Sequence, residues 1–136
     1  MTKQEEYNIK FYTKAIDHRD SFFFDTNNAI NQYKSLWFIN SLDKSEIEDL
    51  IEVINRIRNG QIYDPDFFLT NSEVYQVFNV TFSNPTIFVN GYPVIDIDDL
   101  ATLLREWLYF LEVNSPSAEY IAPKNNLFYF IKKIFK

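Results

Sequence analysis

Both ends of one helix are written into this sequence, and the rest of the fold has to accommodate it. Asp43 stands three residues before Glu46. At that spacing an aspartate accepts a hydrogen bond from a free N–H of the first helical turn, while the glutamate reaches back to the N–H of the cap. Leu42 before the cap and Ile47 after it take the positions of a hydrophobic staple. Ile47, Leu50, Ile51, Ile54 and Ile57 then recur at helical spacing on one face, and Gly60 supplies a left-handed stop. The pattern predicts a helix over residues 44–59 with one face that must be buried against something else.

A second helix is predicted from Asp96. Ile95 and Leu100 sit in staple positions, and Asp98 and Asp99 occupy the positive first turn. Leu100, Leu103, Leu104, Trp107, Leu108 and Leu111 form a wide apolar stripe, which Asn114-Ser115-Pro116-Ser117 ends. Between the helices the period changes to two. Val74, Phe78, Val80 and Phe82 share one face of a strand, with Glu73, Tyr75, Asn79 and Thr81 on the other. Upstream of it, Ile62 to Leu69 reads as an edge or interrupted strand because Pro65 cannot donate to a ladder. Ser83-Asn84-Pro85 turns the chain into Thr86–Val89, and Asn90-Gly91 favours a tight hairpin whose two central residues need positive φ. Pro93 places the returning strand, 92–95, at an edge.

The N-terminal third is less regular. Residues 7–16 alternate partly, with Tyr7, Ile9 and Phe11 on one side, which predicts a short or edge strand. His18-Arg19-Asp20 follows as a polar break. Residues 26–41 carry Ala29, Ile30, Tyr33, Leu36 and Trp37 at steps of three and four, favouring a helix, with a buried strand over 35–39 as the alternative. The order of elements predicts a single α+β domain over residues 1–136: an antiparallel meander flanked by two or three helices, with 115–136 as a basic, aromatic C-terminal segment.

Composition narrows the chemistry. The 136 residues include no cysteine, one histidine and two glycines. Disulfides, thiolate metal sites, cysteine nucleophiles, histidine relays and phosphate-cradling glycine loops are therefore excluded. No cofactor is expected. Asp64-Pro65-Asp66 is accounted for by turn chemistry, and Asp96-Ile97-Asp98-Asp99 by capping and the helix dipole; neither resembles a calcium loop. His18 lies between Asp17 and Asp20, yet nothing nearby supplies an activated nucleophile, so it reads as a solvated loop residue. The chain is expected not to be an enzyme. No apolar stretch approaches the roughly 20 residues of a membrane helix, and the opening Met1-Thr2-Lys3-Gln4-Glu5-Glu6 is polar, which together predict a cytoplasmic protein without stable membrane insertion.

Charge is unevenly distributed. Residues 1–112 hold nine basic side chains against 18 acidic ones, a net −9, whereas 113–136 hold Lys124, Lys132, Lys133 and Lys136 against Glu119 alone, a net +3. A body of that sign repels phosphate backbones, so no direct nucleic-acid binding is expected; a basic protein domain is its natural complement. With the Ile47–Ile54 stripe turned inward, Glu48, Asp49 and Glu52 point out or flank it, and Glu52 can pair with Arg56 one turn on. Together with Asp64 and Asp66 they can imitate a row of phosphates. Tyr63, Tyr75 and Tyr92 would supply rigid amphipathic contact between the charges, drawn from an aromatic share of 18%. The predicted partner-binding residues are Glu48, Asp49, Glu52, Tyr63, Asp64, Asp66 and Tyr75.

The capped run Leu-Asp-Lys-Ser-Glu-Ile-Glu-Asp-Leu-Ile at 42–51, the strand meander, and Leu103-Leu104-Arg105-Glu106-Trp107-Leu108-Tyr109-Phe110-Leu111 resemble the immunity proteins of bacterial contact-dependent growth inhibition and related polymorphic toxin systems. The resemblance spans roughly residues 40–112 and is one of pattern, so it transfers no functional residue by position. It implies a non-enzymatic, stoichiometric inhibitor of one cognate toxin domain, often a nuclease. The competing expectation is a structural or adaptor module that self-associates, as a homodimer, through its edge strand and aromatic tail. A basic amphipathic membrane anchor over Leu127–Lys136 is a third.

Overall fold

A computed structural model describes residues 2–63 and 79–114. A single turn of helix, α1 (Lys3–Glu6), leads into the hairpin β1 (Lys10–Ile16) and β2 (Arg19–Asp25), and then into a 3-10 helix, Asn31–Ser41. Helix α2 (Lys44–Arg58) follows, then the strands β3 (Val80–Ser83), β4 (Thr86–Val89) and β5 (Tyr92–Asp96), and finally α3 (Ile97–Asn114). The result is α+β. Its described strands form two small antiparallel sheets, β1-β2 and β3-β4-β5.

Helix α2 forms as its sequence dictates. Asp43 accepts from the Glu46 N–H at 2.8 Å and the Glu46 carboxylate accepts from the Asp43 N–H at 3.1 Å, so the capping box is complete. Leu42 and Ile47 are both buried, and Gly60 takes φ +67°. In α3, Asp96 Oδ1 accepts from the N–H groups of Asp98 and Asp99, capping the first turn. The two helices pack with opposite direction. Lys44 at the start of α2 meets Glu112 at the end of α3 at 3.1 Å, and Arg58 at the end of α2 meets Asp98 at the start of α3. All four side chains are a third or more exposed, so the pairs set the register and add little energy. Burial of Ile47, Leu50, Ile54, Leu100, Leu103, Leu104 and Trp107 in one continuous core holds the helices together.

The β3-β4-β5 meander matches the expected turns. Asn90 and Gly91 both have positive φ, and β5 with Pro93 lies at the sheet edge. Asn90 also reaches across through its side chain, accepting from the Asn79 N–H at 2.9 Å. The expectations for Asp64-Pro65-Asp66, for the strand residues Val74 and Phe78, and for 115–136 lie outside the described residues.

The N-terminal third differs from expectation in three ways. First, the strand expected over 7–16 begins only at Lys10, because Asn8 takes φ 58° and Lys3–Glu6 form a helical turn instead. Second, the polar break expected at His18-Arg19-Asp20 is narrower, because Arg19 and Asp20 already belong to β2. Asp17 (φ 51°) and His18 (φ 66°) are the two turn residues of a hairpin in which Ile16 pairs with Arg19 and Lys10 with Asp25. Third, the helix within 26–41 is of the 3-10 type. Its buried Leu36 and Ile39 recur at three residues, the 3-10 period. Three side chains also bond the carbonyl three residues back: Ser35 to Gln32, Asn40 to Trp37 and Ser41 to Phe38, favouring the tighter turn over an α-helix.

Asn40 joins the two halves of this region. It is buried, and its side chain faces Phe24 of β2, accepting from the Phe24 N–H at 2.7 Å and donating to the Phe24 carbonyl at 2.8 Å. Both backbone groups of Phe24 are thus turned away from its β1 partner, and Asn40 stands where a third strand would. Above this hairpin, Trp107 of α3 packs on Phe11 (centroids 5.0 Å), Phe24 (5.7 Å) and Phe110 (5.4 Å, stacked).

Candidate functional site

Helix α2 turns its apolar face into the core, which leaves Glu48, Asp49 and Glu52 exposed on its outer face. Their situations differ. Glu52 is paired with Arg56 one turn later, at 3.1 Å to Nη2, and Arg56 also donates to the Ile62 carbonyl at 3.2 Å. The side chains of Glu48 and Asp49 make no ion pair or hydrogen bond among the described residues, so the uncompensated charge of this face is theirs. Just beyond the helix lies Ile62, 90% exposed and the most exposed large apolar side chain among the described residues. Tyr63 is half-buried and edge-on to Phe82 of β3 at 6.2 Å, so its ring is fixed against the meander.

The structure therefore brings Glu48, Asp49, Glu52 and Tyr63 onto one helix and the segment that leaves it. Asp64, Asp66 and Tyr75 lie outside the described residues. Tyr92 is 74% exposed at the start of the edge strand β5. His18 is exposed, and its place in the hairpin turn gives it a conformational role. Among the described residues, no three His, Asp or Glu side chains gather where they could hold a metal ion, and no helix is long and apolar enough to cross a membrane.

A second surface was not anticipated. Thr102, Glu106, Tyr109, Phe110 and Val113 recur along α3 beside the buried stripe, so the last turns of the helix are apolar around most of their circumference. With Phe11 of β1 and with Thr2 and Gln4 of the N-terminal turn, they line an open groove of about 460 Å³. Tyr109 is 70% and Val113 57% exposed there. The signal was present in the sequence, as apolar residues lying off an already complete stripe.

One wall of the groove is held by carboxylates of α3. Glu106 Oε1 and Oε2 accept from the backbone N–H groups of Gln4 and Lys3, both at 2.8 Å, so a single side chain tethers the start of α1. Asp99 receives the Tyr7 hydroxyl and lies 3.2 Å from Lys3 Nζ. Burial first, and the Asp99 carboxylate second, push the Tyr7 phenol well above its ordinary value. Tyr7 also stands edge-on to Tyr33 at 4.6 Å, which ties the turn to the 3-10 helix.

Comparison with protein-family models, with curated proteins and with solved structures finds no match to this chain.

Proposed function

We propose that the chain is an immunity protein, a stoichiometric inhibitor that binds and neutralises a cognate basic toxin domain, a nuclease, in the bacterial cytoplasm. The observation that carries the reading is the outer face of α2, where Glu48 and Asp49 stand exposed without a cationic partner among the described residues, on a helix fixed at both ends. A rigid element presenting uncompensated carboxylates binds with little ordering cost, and its charge steers a basic domain toward it. Ile62 and the anchored ring of Tyr63 lie at the end of the same helix and add apolar contact beside the charge. The net −9 over residues 1–112 extends the same sign across the surrounding surface. Inhibition on this reading needs no chemistry from the chain itself: covering the toxin's active site or a neighbouring surface suffices.

The test is a calorimetric titration of the full chain against the toxin domain encoded beside it, with toxin activity followed in parallel. The expected result is one-to-one binding tighter than about 1 μM and loss of toxin activity at stoichiometry. Weaker binding, or toxin that stays active when saturated, would overturn the reading.

A further inference from the structure

The groove along α3 carries its own chemistry, independent of the acidic face of α2. Its walls are mostly apolar: Phe11, Tyr109, Phe110 and Val113. Its polar members are largely occupied. Both oxygens of Glu106 accept backbone N–H groups, Thr102 donates to the Asp98 carbonyl, and Asn114 donates to the Phe110 carbonyl. Two side chains are exceptions, the Gln4 amide and Arg105, and of these only Arg105 is charged. It lines the groove, is exposed, and its side chain makes no ion pair or hydrogen bond among the described residues. It stands one helical turn before Tyr109, so its guanidinium and the apolar wall lie on adjacent turns of the same rigid helix.

We propose that this groove binds a small amphipathic carboxylate, with its carboxylate on Arg105 and its apolar body along Phe11, Tyr109, Phe110 and Val113. Three features select that ligand. A volume of about 460 Å³ falls within the size of small-molecule sites, which run from roughly 300 to 1,000 Å³. A planar guanidinium matches a carboxylate through two parallel hydrogen bonds, which an ammonium or hydroxyl head cannot form with it. The bonds that Glu106 accepts from Lys3 and Gln4 engage both of its oxygens, which leaves Arg105 as the charge at the rim without a side-chain partner among the described residues. The same charge disfavours a basic amphipathic segment as occupant, because such a segment would bring lysines against Arg105.

Isothermal titration of the full chain with decanoate, decanol and decylamine, each kept below its aggregation threshold, tests the assignment. Decanoate is expected to bind at one site at least about ten-fold tighter than decanol, with decylamine weakest. Arg105→Gln, at an exposed position that the fold does not depend on, is expected to lower decanoate affinity to that of decanol while leaving decanol unchanged. Val113→Asp, also exposed, is expected to weaken both. Equal affinity for the acid and the alcohol would make the groove a plain apolar face and overturn the proposal. So would an Arg105→Gln variant that binds decanoate normally. Absence of saturable binding up to about 1 mM would mean that another part of the chain or a protein partner takes the groove, and would also overturn it.

Discussion

Replacing Asn40 by alanine should cost far more than an average buried polar substitution. Phe24 is completely buried, and its N–H and carbonyl are both satisfied by the Asn40 amide, at 2.7 and 2.8 Å. The alanine variant strands both groups out of reach of water, at about 1–3 kcal/mol each, and also leaves the Trp37 carbonyl without its 3.1 Å contact. A loss of about 3–5 kcal/mol follows, a large fraction of the roughly 5–15 kcal/mol by which domains are stable. Urea unfolding followed by tryptophan fluorescence measures it as a lower midpoint at unchanged slope. Asn40→Asp refines the test. The aspartate still accepts from the Phe24 N–H, but only its protonated form can donate to the Phe24 carbonyl, so its folded-state pKa lies above the free value of about 3.9. Stability linked to that proton is fully present below the free value and is lost as pH rises through the folded one. The deficit of Asn40→Asp relative to the native chain therefore widens above about pH 4, by at most about 1.4 kcal/mol per pH unit. An alanine variant within about 0.5 kcal/mol of the native chain, or an aspartate deficit that ignores pH, would refute the role assigned to Asn40.

Three further outcomes are expected from the same geometry. Asp43→Ala should lower stability by about 1 kcal/mol and speed hydrogen exchange in the first turn of α2, since it removes the acceptor of the Glu46 N–H; exchange unchanged at that turn would contradict the capping account. Trp107→Ala should cost about 3–5 kcal/mol in urea unfolding, because the indole packs on Phe11, Phe24 and Phe110 at once. The raised Tyr7 pKa means that the folded state holds the phenolic proton more tightly than the unfolded chain does, so the associated stability is intact below about pH 10 and falls as pH rises above it. Melting temperatures of Tyr7→Phe and the native chain, compared from pH 8 to about 11, should therefore converge at the alkaline end; parallel curves would remove the proposed linkage.

What could be read from the sequence divides along a physical line. Helix α2, helix α3 and the Asn90-Gly91 hairpin rest on local signals: a cap, a stripe with the helical period, and residues that tolerate positive φ. The β1-β2 hairpin escaped because its turn is Asp17-His18, two side-chain-bearing residues that adopt the left-handed region without the glycine that usually announces it. The 3-10 helix escaped because steps of three and four are common to both helix types. Its tighter winding becomes evident only with the side-chain bonds to carbonyls three residues back and the clasp of Asn40 on Phe24. For the sites, exposure of Glu48, Asp49 and Glu52 followed directly from the buried stripe. The groove followed only in part: Tyr109, Phe110 and Val113 stand off the buried stripe in the sequence, but that they line a groove depends on α3 lying against β1 and the N-terminal turn, a tertiary arrangement that no local pattern encodes.

The central claim is that the outer face of α2 meets a basic partner, and one double charge reversal addresses it. Glu48→Lys combined with Asp49→Lys alters two exposed residues outside the core and should leave the urea midpoint unchanged to within about 0.5 kcal/mol. Binding to the cognate toxin domain, measured by stopped-flow association across a salt series, should then weaken by about 100-fold, and the steep fall of the association rate with salt should flatten. Native affinity and native salt dependence in the double variant would place the interface elsewhere on the molecule.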